Sequence, residues 1–162
     1  VTRDLYVRLR ASTRNAPRLR FKLIGDDQLS GGVGGWEQVD RKLRRPAIVW
    51  TKTPLRVYKL PLRLDGFTAT SQVSVEQECR VLMGWGQLTH TRKGTKRPPT
   101  IALSGNVRVP LSLRWVITGL DWGDYLTSNS GRRIRQDVTV TLTEYIDLGS
   151  KGYAAALKKA TN

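Results

Sequence analysis

Few side chains in this 162-residue chain have the type and spacing that chemistry needs. The one histidine, His90, lies inside a basic run (HTRKGTKRPP) with no second imidazole to complete a His-based metal site. The lone cysteine, Cys79, falls on an apolar stripe, where a thiol packs as a small hydrophobe and lacks the exposed, cationic setting of a nucleophile. Asp121 and Asp124 flank Trp122, and two carboxylates can hold a cation or exchange a proton. With no further acid beside them, they read as turn-forming, salt-bridging residues. The run Ser30 to Gly35 (SGGVGG) has the glycine density of a phosphate loop, but no Lys-Ser/Thr pair trails it and no helical pattern follows. It reads as a flexible connector of the kind that orders against a neighbour. No catalytic residue, metal site or cofactor is assigned.

Charge and aromatic residues carry more information. The chain has 28 Lys and Arg against 13 Asp and Glu, a net charge of +15, which repels itself in a compact state and attracts nucleic acid or acidic proteins. Five tryptophans, Trp36, Trp50, Trp85, Trp115 and Trp122, suit either a small core or interface anchors. Trp115 alternates with Ile117 and reads as core. Trp36 follows the glycine run and precedes RKLRR, so it joins the core, stacks on a base or fills a partner's pocket. Gly31, Gly32, Gly34, Gly35, Trp36, Arg41, Arg44 and Arg45 form the candidate subunit interface. An alternative polyanion contact comprises Arg41, Lys42, Arg44, Arg45, Arg92, Lys93, Lys96, Arg97, Arg132 and Arg133, which would grip phosphates by counterion release without choosing sequence. Neither an RNP-type aromatic strand, a helix-turn-helix nor zinc-finger spacing accompanies it. Positive charge is spread over every segment, as on a surface compensated by neighbours.

The elements that must position these residues are mostly strands. Val1 to Pro17 begins with Leu5, Val7 and Leu9 alternating with arginines, then dissolves into Ser, Thr, Asn and Pro, which gives an edge strand or a mobile basic arm. Arg18 to Ile24 has Leu19, Phe21 and Leu23 on one face and Arg18, Arg20 and Lys22 on the other, a half-buried strand. Ala47 to Trp50 reads as a short strand. Leu55 to Leu64 alternates, with a phase slip near Tyr58-Lys59 and a missing donor at Pro61, so a bulge or an edge strand is expected there. Ser74 and Gln77 have capping-box spacing, and Val75, Cys79, Leu82 and Met83 recur at i, i+4, i+7 and i+8, predicting a helix of about 10 to 12 residues that Gly84 or Gly86 ends. Thr100 to Leu103, Val107 to Leu111, Leu113 to Leu120 and Ile134 to Ile146 read as strands, the clearest carrying Val138, Val140 and Leu142 against three threonines. Asp124 to Arg132 reads as a loop. Tyr153 to Ala160 can form two helical turns, provided it docks.

The fold class is therefore mainly β (α+β): a single barrel or sandwich-like domain with one internal helix and flexible terminal arms. Residues 1–17 form the arm or edge strand, 18–148 the β-rich domain and 149–162 the tail. No run approaches the roughly 18 apolar residues of a membrane-spanning helix, and no export signal is visible at Val1. A single cysteine fits a reducing compartment or a fold that needs no disulfide staple.

The order of the segments GGWEQVDRKLRRPAIVW, PLRVYKLPLRLDGF, SVEQECRVLMGWG, RPPTIALSGNV, LRWVITGLDWG and RQDVTVTLTEYIDL resembles the tail or baseplate proteins of bacteriophages and related contractile injection systems. The likeness spans Leu19 to Leu148 and is greatest to the type whose N-terminal β domain precedes a peptidoglycan-binding LysM module. It implies a non-enzymatic structural protein of the virion tail, assembled in the bacterial host cytoplasm in several symmetry-related copies. Its implied partners are the tail tube, the hub and distal tail proteins. The sequence runs 14 residues past Leu148 with no LysM-like segment, so cell-wall binding is not carried over. In such an assembly, strand edges can pair with neighbours while basic faces meet acidic subunits.

Overall fold

The structure, a computed structural model, describes residues 5–66, 74–87, 90–92 and 95–161. The described residues form eleven strands and two helices in chain order: β1 (Tyr6–Ala11), β2 (Arg18–Leu23), β3 (Gln28–Ser30), β4 (Trp36–Arg41), β5 (Arg44–Trp50), β6 (Val57–Asp65), α1 (Val75–Trp85), β7 (His90–Arg92), β8 (Thr95–Arg97), β9 (Ile101–Gly105), β10 (Arg114–Thr127), β11 (Arg133–Tyr145) and α2 (Gly149–Ala160). Seven strands form one antiparallel sheet in the order β11-β10-β9-β1-β2-β6-β3, and β6 also pairs with β11. Two joints of this circuit are thin. A single pair, Trp115↔Ile101, links β10 to β9, and two pairs link β2 to β6. The sheet thus folds over its own apolar face as a sandwich-like α+β domain without becoming a closed barrel.

Period-two patterning explains the core. Leu19 and Phe21 of β2, Tyr58, Leu60, Leu62 and Leu64 of β6, and Val138, Val140 and Leu142 of β11 all point inward. Trp115 is fully buried, its ring centroid 5.9 Å from that of Tyr58. The predicted helix forms as α1, and the Ser74 hydroxyl accepts the Gln77 N–H at 3.3 Å. Val75, Cys79, Leu82 and Trp85 bury its stripe against β6 and β11, while Met83 stays exposed because the stripe runs on to Trp85, on the opposite border of the helix from Met83. Gly86 caps the helix, with Gly84 inside it.

Several expectations are corrected. β1 has β2 on one side and β9 on the other, so it is neither an arm nor an edge; Val1 to Asp4 lie outside the described residues. β6 runs without a bulge. Ile24 N–H donates to the Pro61 carbonyl at 3.1 Å, so both Pro61 backbone groups face the point where β2 gives way to β3, and no ladder donor is needed there. Val107 to Leu111 forms no strand. Val107 N–H closes a tight turn onto Gly105 O, and Val109 packs inward. The expected loop over Asp124 to Arg132 shrinks to residues 128–132, because β10 continues to Thr127. The tail helix starts at Gly149, and Arg97 lies over the rings of Tyr145 and Tyr153 at 5.4 and 5.1 Å, tying α2 to β11.

Ion pairs stitch the outer faces. Arg63 Nε and Nη2 donate to the two carboxylate oxygens of Asp137 at 2.6 and 2.8 Å across the β6–β11 register. The Arg56 guanidinium meets Glu144 at 3.2 Å one end further along. Nearby, the Tyr58 hydroxyl and the Arg108 guanidinium both donate to Asp27, and Arg108 N–H donates to the Tyr58 oxygen at 3.2 Å. Burial raises the Asp27 pKa, but these donors outweigh it and hold the carboxyl below its ordinary value. Burial, then the hydrogen bond to Asp27, pushes Tyr58 up to about 12.

The hydrogen bonds from Arg63 lower the Asp137 pKa despite burial. A lowered folded-state pKa gives stability that is complete above the unfolded value and lost as pH falls through the folded one. Asp137→Asn is expected to cost about 1–3 kcal/mol near neutrality. That cost should shrink as pH falls below the ordinary carboxylate range. Chemical denaturation of both proteins at neutral and at strongly acid pH checks this, and an undiminished difference in acid would contradict it.

Candidate assembly interface

The pairing of β3 with β6 (Gln28↔Lys59, Leu29↔Tyr58, Ser30↔Val57) sends two chain segments out of the body side by side. Residues 31–35 and 51–56 stay in backbone contact: Gly32 N–H donates to Pro54 O at 3.0 Å and Thr51 N–H to Gly35 O at 2.8 Å. The Thr51 hydroxyl adds bonds to Gly35 O at 3.0 Å and Glu37 Oε1 at 3.2 Å. Gly31, Gly32, Gly34 and Gly35 have φ of 78°, 74°, 97° and 86°. A Cβ on Gly31 would stand 2.1 Å from Leu55 O, and one on Gly35 only 1.5 Å from Lys52 O. All four glycines serve a left-handed backbone, Gly31 and Gly35 a close approach as well, and the expected flexible connector is instead one half of a hydrogen-bonded stem.

Beyond the stem, β4 and β5 pair as a separate two-stranded ribbon in which every residue except Ala47 is exposed. Cross-strand partners share a face. Trp36↔Trp50 and Gln38↔Ile48 occupy one, Glu37↔Val49 and Val39↔Ala47 the other. Trp36 and Trp50 are 59% and 55% exposed, so Trp36 does not join the core. A register shift after Val39 leads to the Arg41↔Arg44 pair, and the turn places Leu43, 98% exposed, at φ 58°. Arg41, Lys42, Arg44 and Arg45 surround that tip. Among the described residues, no carboxylate forms an ion pair with any of the four.

The stem and ribbon bring all eight candidate interface residues onto one projection. The ten-residue polyanion set is divided among three hairpins. Arg41, Lys42, Arg44 and Arg45 belong to β4–β5, Arg92, Lys96 and Arg97 to β7–β8, and Arg132 and Arg133 flank the β10–β11 turn; Lys93 lies outside the described residues. Arg97 is engaged with Tyr145 and Tyr153, and Arg133 meets Glu76 at 3.5 Å. Sequence reading missed Val39, Leu43, Ile48, Val49 and Trp50 as surface residues. The available signal was the near-symmetry of WEQVD and PAIVW about RKLRR, with tryptophan at both outer ends.

The remaining chemistry-bearing residues take structural places. Cys79 is buried in the core, and burial pushes its thiol up. Asp121 and Asp124 lie within β10 rather than in a turn, around a bulge bridged by the Gln136 side-chain amide, which donates to Gly123 O at 3.1 Å. Among the described residues, no three His, Cys, Asp or Glu side chains gather as a metal site, and no helix is long and apolar enough to cross a membrane.

No family model matches the chain, and no curated protein matches it. Among solved structures it is similar to a chain of the anti-feeding prophage (AFP) baseplate, a 6-fold symmetrised cryo-EM structure. That likeness covers 90% of this chain and 91% of the other at 16% identity, with a TM-score of 0.39.

The stem geometry separates two substitutions. Gly35→Ala meets both an unfavourable φ and the Lys52 carbonyl, whereas Gly34→Ala meets the φ alone, since nothing lies within 4 Å of its added Cβ. Gly35→Ala is expected to abolish the hydrogen-exchange protection of the Thr51 and Gly32 amides while leaving β6 and β11 protected. Gly34→Ala should retain most of it. Equal protection in the two variants would contradict the stem.

Proposed function

We propose that this chain is a non-enzymatic structural subunit of a phage-type tail tip or baseplate, joining the tail tube, hub and neighbouring subunits through its β4–β5 ribbon. The observation that carries this reading is a ribbon with apolar side chains exposed on both faces, held out from the body on a hydrogen-bonded stem. A free two-stranded ribbon gains little stability from its own contacts. Trp36, Trp50, Ile48, Val39 and Val49 are each roughly half exposed, so covering them with a partner would bring about half of the 1.5–3 kcal/mol of burying a fully exposed side chain, less the cost of association. The order of sequence segments noted above points to tail proteins as the kind of assembly. In this reading residues 18–148 are the adaptor domain, several copies act together, and the protein resides in the virion tail.

The double variant Trp36→Ala/Trp50→Ala tests it. Both rings lie outside the core, so the purified variant is expected to keep its unfolding free energy within about 0.5 kcal/mol of the parent. It should fail to co-sediment with assembled particles in a producing culture. Normal incorporation of a correctly folded double variant would overturn the assignment.

A further inference from the structure

The ribbon's two faces and its tip differ in chemistry, and together they describe what covers them. One face presents Trp36, Ile48 and Trp50, and the other Val39, Ala47 and Val49. A flat partner would cover only one of them. Covering both requires walls on either side of a ribbon, that is, a cleft. The end that enters such a cleft first is Leu43, ringed by Arg41, Lys42, Arg44 and Arg45. Charges of this density, with no ion-paired carboxylate of their own among the described residues, are desolvated in a cleft only if carboxylates there receive them.

We infer that the β4–β5 ribbon enters, tip first, a cleft in an acidic protein partner whose floor carries carboxylates and whose walls are apolar. This deepens the assembly reading and rests on it. Two other occupants fit less well. A two-stranded ribbon also matches the width of the DNA major groove, but a groove reader carries polar and cationic side chains along its length. Here cations occupy only the tip, while the faces carry Trp36, Ile48, Trp50, Val39, Ala47 and Val49 against just Glu37 and Gln38, with the anionic Asp40 at the bulge. A second copy of this chain brings a further +15 toward the first and is repelled at long range.

The test places p-benzoylphenylalanine at Leu43 or at Ile48 in the full-length protein, irradiates producing cells, and sequences the crosslinked segments in the particle and soluble fractions. Both positions are expected to capture one and the same partner protein, with the Leu43 crosslink inside a segment of net negative charge. Adding Arg44→Glu and Arg45→Glu should lower the yield at Ile48 at least about tenfold, because reversed charges meet like charges at the cleft floor. Capture of a neutral or basic segment, of another copy of this chain or of nucleic acid would overturn the inference. So would the absence of any crosslink from either position. A crosslink to an acidic protein found only in the soluble fraction would support the partner's chemistry and refute the particle assignment. A basic segment captured within particles would do the reverse.

Discussion

Everything the molecule presents to a partner hangs on the antiparallel pairing of β3 with β6. β6 is bonded to β11 along one edge, and its inward residues Tyr58, Leu60, Leu62 and Leu64 form the middle of the core. Its other edge is shared by β2 and then β3, with the change of neighbour falling opposite Pro61, the one residue without a donor. Because β3 is only three residues long, its register against β6 sets where the chain leaves the body. Four left-handed glycines let that pairing continue outward as a stem, and at Gly31 and Gly35 an ordinary side chain would strike the Leu55 and Lys52 carbonyls. Strand register and glycine geometry thereby convert a packed core into a directed projection.

Electrostatics supports the same strands. On the body, four arginines meet carboxylates, Arg63 with Asp137, Arg56 with Glu144, Arg108 with Asp27 and Arg133 with Glu76, while others such as Arg10, Arg14 and Arg18 form no ion pair among the described residues. The partly buried Arg63–Asp137 pair ties β6 to β11 and so supports the strand on which the stem rests. On the ribbon, the four tip cations have no such pairs among the described residues. With 28 basic and 13 acidic residues, four of the carboxylates serve to hold the fold, and the four tip cations concentrate unpaired charge where a neighbour can meet it.

The core was legible in the sequence because it has one wet and one dry face. Period-two alternation in β2 and β11, the Ser74–Gln77 spacing that caps α1 and the placement of Trp115 all follow from that contrast. The ribbon was not legible by the same rule, since neither of its faces is buried and apolar residues fall on both. The glycine run showed only its local freedom. Its close approach to residues 51–56 is a tertiary fact that no window of sequence contains. Val107 and Val109 misled for a related reason: apolar residues two apart also suit a turn folded onto the core, and Arg108 pins that turn to Tyr58 and Asp27.

The most direct measurement of the central claim, that the ribbon is free in the isolated protein and covered on assembly, is hydroxyl-radical footprinting of the tryptophans before and after incorporation into particles. Trp115, fully buried, serves as the internal reference that stays unoxidised throughout. Strong oxidation of Trp36 and Trp50 in the free protein and loss of that oxidation in the particle is the expected result. Equal oxidation of both residues in the two states would contradict the claim.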